Sequence, residues 1–412
     1  MSDAEARAAL ARLEAAGKRL RELPGATRLE AVGRIFDAWS DPGSPVRRRM
    51  LEAHPAGSGL GRETVAAGLA LALAGWNASA LEALVEAELG SLRALDDTAI
   101  SGVTTVLHGG VIPMPTLIDA LAPLALGSTV LSKPAARDPV TPRLVAASLE
   151  SLAPELSGCL EVCDVRREET AAFETLLATD RVVVTGSDEA VDAVRSRIAS
   201  HTRLVAHGHK LSVAMLGDRP QVDLVDAAQR LAVDVALWDQ LGCLSPVACW
   251  TLGDRARAGT FAAALAGALA AREGAWPRGE IDPASAARIA SERANAELRG
   301  AAGRSVTVHA SAGTAWTVVA EADAAPRPAP LHRFVRVHPA TDLPEVERAL
   351  GPHGIHLTGV ALEGFDRYDE AAIARALGAS RTARFGELQA PPLDWARDGL
   401  GVLSRLLDPD RH

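Results

Sequence analysis

From residue 103 onward, short β-branched runs alternate with helical stretches, and this rhythm restricts the fold more than any other feature of the chain. The runs "VTTVLH" (103–108), "STVLSK" (128–133) and "RVVVTG" (181–186) are interleaved with "TLIDALAPLAL", "PRLVAASLESLA" and "EAVDAVRSRIAS". Parallel strands cannot be joined by a tight turn and need a crossover of a dozen or more residues, usually a helix. The pattern therefore predicts a parallel sheet covered by helices on both faces, a dinucleotide-type domain over residues 99–210.

A second α/β block follows. Strands are expected at 211–216, 305–310, 315–321, 333–339 and 356–362, with helices at 222–238, 258–272 and 283–300. The division near residue 210 gives a second domain over 211–385 and a tail, 386–412, that packs back on the core. Residues 1–98 read as a helical layer, because "DAEARAALARLEAAG", "ATRLEAVGRIFDAW" and "SALEALVEAELGSL" place apolar residues at three- and four-residue spacing. "AAPRPAPLHR" (324–333) reads as a Pro-rich surface connection.

Length and charge set further limits. At 412 residues the chain exceeds what one hydrophobic core serves. A formal charge of −9 and 3% aromatic residues speak against nucleic acid as the partner, since that role needs a basic footprint and stacking platforms. The longest apolar run, "VAAGLALALAGW" at 65–76, is too short to span a bilayer, which takes about 20 residues. The N-terminus has acids and lacks the features of an export signal, so a cytoplasmic location is expected.

Four cysteines occur, at 159, 163, 243 and 249, spaced C-x3-C and C-x5-C. Those spacings are not the tight knuckles of structural zinc, and no metal site is expected. Cys159, Cys163 and Cys249 lie in apolar surroundings that suit core packing. Cys243 stands apart, in "DQLGCLSPVACW" (239–250), after a glycine and the expected end of a helix, and before Ser-Pro, a helix-start signal. Such a turn can expose a sulfur and direct backbone N–H groups toward it. A thiol with a pKa of about 8.5 needs help of this kind to act as a nucleophile at neutral pH.

The turn Gly186-Ser187, after the run "RVVVT", has the form of a strand leading into an acid-rich helix start. Anionic phosphates bind at such places. Without a full G-x-G-x-x-G it is equally compatible with being only a turn.

Taken together, "GSTVLSKPAARDPVTP" (127–142), "VVVTGSDEAV" (182–191), "AHGHKLSVAML" (206–216) and "DQLGCLSPVACW" resemble the aldehyde dehydrogenase superfamily. The order agrees, and the intervals of 53 residues from Lys133 to Gly186 and 57 from Gly186 to Cys243 agree as well. Within it, the Asp-Gln-x-x-Cys-x-Ser-Pro block, "RLEAVGRIFDAW" with "RRRMLEA", and "GELQAPPLDWARDG" (386–399) resemble the fatty acyl-CoA reductase family of bacterial bioluminescence.

The resemblance implies an aldehyde dehydrogenase-like α/β fold: a Rossmann-type cofactor domain, an α/β catalytic domain and N-terminal helices. It implies reduction of a fatty acyl thioester, acyl-CoA, to an aldehyde, with Cys243 as the nucleophile that carries the acyl group. Lys133, Pro134, Thr185, Gly186, Ser187 and Gly110 fall at cofactor-binding positions. Where family members bear an acidic reader of the ribose 2′-OH, this chain has Ala136 followed by Arg137, which favours NADPH; Arg137 as a plain surface charge is the alternative.

Two departures bear on the chemistry. The loop "LHGGVIP" (107–113) has no Asn to hold an oxyanion, so a backbone N–H at Gly109 or Gly110, or His108, is expected to substitute. The glutamate that activates water in aldehyde-oxidising members is replaced near Ala206, which argues for exchange with a thiol over hydrolysis. His207 or His209 can handle protons or can form a loop pair between domains, and Lys210 reads as structural. The acyl donor is expected to be acyl-CoA or an acyl-carrier thioester, with homo-oligomerisation or a partner acyl-transfer enzyme possible. A catalytically weakened scaffold of the same fold is the non-enzymatic alternative.

Overall fold

The computed structural model describes residues 1–166 and 168–407. The chain divides into two units: residues 1–58, 72–209 and Pro392 onward form the first, and 59–71 with 210–391 form the second.

In the first unit, β1 (Val103–Leu107), β2 (Thr129–Lys133), β3 (Leu160–Val162), β4 (Arg181–Thr185) and β5 (Arg203–His207) form a parallel sheet in the order β3-β2-β1-β4-β5. β1 is buried along its whole length, as expected for a central strand with helices on both faces. Its threonines do not waste the burial. Thr105 donates to the Leu176 carbonyl at 2.7 Å, and the Thr104 and Ser128 hydroxyls share a bond of 2.8 Å. One face is closed by Leu13, Val103, Leu131, Leu176 and Val182 in a single apolar cluster.

The strand β5 has no counterpart in the sequence expectations. It lies at the sheet edge, and in "RLVAH" only Val205 and His207 are fully buried, so no continuous apolar run marks it.

The second unit holds β6 (Leu211–Leu216), β7 (Pro246–Leu252), β8 (Thr307–Ala310), β9 (Thr317–Ala320), β10 (Phe334–Ala340), β11 (Leu357–Glu363) and β12 (Arg381–Arg384). Their order is β12-β11-β6-β7-β10-β9-β8, parallel except for the β8–β9 pair. Ser245-Pro246, expected to open a helix, opens β7. Proline fits at the first residue of a strand, where the missing N–H costs little, and "VACWT" then supplies β-branched and aromatic residues.

Residues 59–71, read from the sequence as part of the N-terminal helical layer, belong to the second unit. The helix Arg62–Ala72 explains the difference: Thr64 Oγ1 accepts from the Trp238 N–H at 3.1 Å, and Gly68 lies against the Trp238 ring. The tail is likewise divided. Residues 386–391 stay with the second unit, and from Pro392 the chain joins the first. There Glu88 accepts the backbone N–H groups of Val402, Leu403 and Ser404 at 2.6–2.8 Å, while Arg181 donates to the Leu406 carbonyl at 2.9 Å.

A Cβ added at Gly68 would stand 2.3 Å from the Trp238 ring, whereas one at Gly259, in the helix Arg255–Ala275, would meet nothing within 4 Å. Gly68→Ala is expected to destabilise the protein by roughly 1–3 kcal/mol or more through overpacking. Gly259→Ala is expected to be neutral or to stabilise by up to about 1 kcal/mol. Urea unfolding midpoints of the two variants provide the comparison.

Candidate active site

The loop that bears Cys243 is built by left-handed backbone. Trp238, Asp239 and Gln240 all have positive φ, at 55°, 51° and 63°. For L-residues each such position costs about 1–2 kcal/mol, so surrounding contacts must enforce the turn. They are on hand. The Asp239 carboxylate accepts from Arg333 Nη2 at 2.6 Å and from the Gly279 N–H at 2.9 Å. The Gln240 amide donates to the carbonyls of Pro246 and Phe334 at 2.8 and 2.9 Å and accepts from the Phe334 N–H at 2.8 Å. Arg333 also closes a left-handed run, Leu331, His332 and Arg333, with φ of 65°, 58° and 66°.

On the far side of the cysteine, Gln389 Nε2 donates to Ser245 Oγ at 2.7 Å and to the Asp234 carbonyl at 3.1 Å. The Asp234 carboxylate accepts from the Gly386 and Leu388 N–H groups at 2.7 and 3.0 Å. Burial pushes its carboxyl up to about 7, against the pull of the backbone N–H groups of Gly386, Gln389 and Leu388. The cysteine's own carbonyl accepts from Ser212 Oγ at 2.7 Å.

Between these anchors, Leu241, Gly242 and Cys243 are partly exposed, while Gln240, Leu244, Ser245 and Pro246 are buried. Cys159, Cys163 and Cys249 are sealed in the core, and burial pushes the thiols of the first two up to about 11 and that of Cys249 higher still. Asp234, Ser212, Arg333 and Gln389 are structural supports that the sequence did not single out. Ser212, Arg333 and Gln389 lie in the quoted stretches "AHGHKLSVAML", "AAPRPAPLHR" and "GELQAPPLDWARDG", none of which was read for such a role.

The remaining candidates belong to the first unit, at the carboxyl ends of its strands. After β1, the His108 N–H donates to the Lys133 carbonyl at 3.0 Å and His108 Nε2 lies 2.8 Å from Ser132 Oγ. Loss of water around the ring pushes the His108 pKa down to about 4, with Asp119 and Asp138 opposing, so the imidazole is neutral at pH 7. Gly109 passes so close to β4 that a Cβ would meet the Thr185 carbonyl at 2.2 Å. Gly110 has φ +80° and open space around it.

After β2, Lys133 is half-buried and Pro134 buried, while Ala136 and Arg137 are exposed on a tight turn bridged by Ala135 and Asp138. Arg137 Nη2 donates to the Ser58 carbonyl at 3.0 Å. The carboxylate that follows, Asp138, is buried, and its Oδ1 accepts from the Val140 and Thr141 N–H groups at 3.2 and 2.9 Å.

After β4, the Thr185 hydroxyl is buried with no hydrogen-bond partner among the described residues. The Gly186 N–H donates to the His207 carbonyl at 3.0 Å, and Ser187 caps the helix Asp188–Arg195 by accepting from the Ala190 N–H at 3.3 Å. The two acids at that helix start are both engaged. Asp188 accepts from the His209 N–H at 2.8 Å, and the Ser187 hydroxyl holds the Glu189 carboxyl below its usual range. A strand edge with an unpartnered hydroxyl, two glycines at the β1 exit and a half-buried lysine fits a dinucleotide.

The two histidines after β5 differ in kind. His209 is exposed. His207 is sealed between charged groups: its Nδ1 lies 2.8 Å from Asp398 Oδ2, and Arg405 Nη1 points at its Nε2 at 2.9 Å. Burial and Arg397 hold its pKa below the ordinary value, and Asp119 accepts from Arg405 at 2.6 Å. A ring that donates to Asp398 and accepts from Arg405 has no site left for proton transfer to a substrate.

Residues 26–408 match the model of the family described as acyl-CoA reductase (LuxC). A curated relative from Vibrio harveyi, "Long-chain acyl-protein thioester reductase", is 28% identical over 191 residues, which is 43% of this chain and 40% of that protein's length. Among solved structures, the indole-3-acetaldehyde dehydrogenase AldA of P. syringae, a C302A mutant in complex with NAD+, aligns over 99% of this chain and 88% of its own with a TM-score of 0.75 at 15% identity. Aldehyde dehydrogenase 21 of Physcomitrella patens aligns over 99% and 90% with a TM-score of 0.72 at 13% identity. The fold is that of the aldehyde dehydrogenases.

The raised Asp234 carboxyl has a consequence for pH. Unfolded, the group titrates near 3.8; folded, near 7. Between these values the folded chain holds a proton that the unfolded chain has released, so stability falls as pH rises from about 4 to about 7, by up to roughly 4 kcal/mol from this group, and the loss persists above. Asp234→Asn is expected to flatten that part of the profile, read from urea midpoints across pH 4–8.

Proposed function

Because the chain belongs to the acyl-CoA reductase (LuxC) family, we propose that it reduces a fatty acyl thioester, acyl-CoA, to an aldehyde with NADPH, through a thioester on Cys243. The observation that carries this reading is the contrast among the cysteines: three are sealed, and the fourth is partly exposed on a loop anchored at both ends.

The Cys243 thiolate attacks the acyl carbonyl carbon, and the tetrahedral oxyanion collapses as the carbon–sulfur bond to coenzyme A breaks. The oxyanion is held by the Cys243 N–H. A reduced nicotinamide dinucleotide, when bound, supplies the hydride for the acyl carbon. The hemithioacetal then releases aldehyde and returns the thiolate. Of the two histidines after β5, His209 is the proposed proton carrier, since His207 is committed to Arg405 and Asp398. No carboxylate stands at Ala206 to activate water, so the thioester persists for reduction.

For the dinucleotide, Lys133 and Pro134 would flank the adenosine ribose, Thr185, Gly186 and Ser187 the phosphates, and Gly110 the open passage beside them. Arg137, exposed and next to Ala136, would pair with a 2′-phosphate.

A second reading places the acyl group on a carrier protein or a partner synthetase. The similarity to the Vibrio harveyi long-chain acyl-protein thioester reductase favours it.

Incubation with acyl-CoA and NADPH is expected to consume the reduced cofactor and to leave an acyl group on Cys243 detectable by mass spectrometry; Cys243→Ala is expected to abolish both. Turnover that appears only with acyl-protein would move the reading to the second donor, and consumption by Cys243→Ala would refute both. Arg137→Ala is expected to weaken NADPH binding about tenfold, some 1.4 kcal/mol, and leave NADH binding unchanged. Fluorescence titration with each nucleotide measures it.

A further inference from the structure

We propose that Arg333 is a positioning residue for the nucleophile, acting through Asp239 on the left-handed turn that leads into Cys243. Three observations converge on it. The turn at 238–240 consists of L-residues in a backbone region they rarely occupy, and it ends three residues before the cysteine. Left to itself, this segment would relax to negative φ and carry the sulfur elsewhere.

The guanidinium is the part of the support that bears charge. Arg333 is 1% exposed; one of its terminal nitrogens donates to Asp239 at 2.6 Å, and the other donates to Glu273 at 2.7 Å and to the Trp276 carbonyl at 2.8 Å. The planar fork thus ties the turn to two further points of the same unit. A lysine ammonium is a point charge and cannot reproduce that spread.

The third observation is the backbone of Arg333 itself. It lies in a second left-handed run, 331–333, and the next residue, Phe334, exchanges two hydrogen bonds with the Gln240 amide. Two disfavoured segments therefore hold each other, one side chain from each reaching into the other. From the opposite direction, Ser212 fixes the Cys243 carbonyl. Because the loop between these anchors is short, loosening either end lets the sulfur move, and small displacements of a reacting atom cost rate steeply.

The inference rests on the functional reading above for its acylation and NADPH readouts; alkylation of Cys243 by iodoacetamide tests it independently of any substrate or cofactor. For Arg333→Met, acylation by acyl thioester in a single turnover is expected to slow at least tenfold, and the iodoacetamide rate at Cys243, located by mass spectrometry, to fall several-fold. NADPH affinity is expected to stay within twofold, and Arg333→Lys to recover the rates in part. Ser212→Ala is expected to give the same pattern more weakly; should Arg333→Met fail to fold, Arg333→Lys decides the matter, with both rates expected below those of the unmodified chain.

A folded Arg333→Met protein, or a folded Arg333→Lys protein where the first does not fold, with both rates within twofold of the unmodified chain overturns the proposal. So does a parallel fall of alkylation rate, NADPH affinity and thermal stability in the two variants, which is the pattern of general unfolding. If no thioester acylates the unmodified protein, the functional reading fails, and the iodoacetamide rates still decide this one.

Discussion

A carboxylate and a guanidinium sealed together in the interior, Asp239 and Arg333, constrain the second unit where it presents Cys243. Each is almost fully buried, so each charge has given up its water and depends on the other. Pairs of this kind add little net stability, because desolvation cancels much of the attraction. Their value is geometric. An ion pair at 2.6 Å in low dielectric tolerates few arrangements, and here the tolerated arrangement winds the backbone left-handed before Cys243 and again before β10. The Gln240 amide, with its donors and acceptor all used, makes the same demand without charge. The sulfur is thus placed by polar groups that are costly to leave unpaired.

The sheet architecture was legible where strands are central. "VTTVL", "TVLSK" and "RVVVT" are buried along nearly all their length, and an uninterrupted apolar or β-branched run betrays that. Edge strands left no such trace: β5 carries Arg203 and partly exposed Leu204, and β12 is "RTAR" with no fully buried residue. The separate character of Cys243 was legible too, from Gly242, Ser245 and Pro246 around it. Its supports were not. Ser212 is 31 residues away, Arg333 is 94 residues from its partner Asp239, and Gln389 is 144 residues from Ser245. Those pairings exist only once the fold brings the segments together, and an arginine or glutamine in a surface-like stretch gives no sign of its burial.

Charge also organises the dinucleotide-type unit, with another outcome. Asp119 lies among Arg405, Arg397, His207 and His108, and the cations hold its carboxyl low despite complete burial. Both cations, Arg397 and Arg405, come from the segment that rejoins the first unit at Pro392. His207, at the end of β5, is thereby kept neutral and fixed in one tautomer, which distinguishes it from the exposed His209 two residues later. Two histidines separated by one glycine were thus divided between anchoring and solvent by which of them the tail reaches.

The same tail bears on how this protein comes into being. The polypeptide leaves the first unit after residue 58, returns at 72, leaves again after 209 and returns at 392. A ribosome delivers the five-stranded sheet complete by residue 207, yet Glu88, Arg181 and Asp119 then still lack the backbone groups and the guanidinium that satisfy them in the finished molecule. Nearly two hundred residues of the other unit must be translated before those partners emerge. The nascent sheet has to wait, with polar groups hydrated that will later be dry, and the final locking of the nucleotide-type unit becomes a late event in biosynthesis.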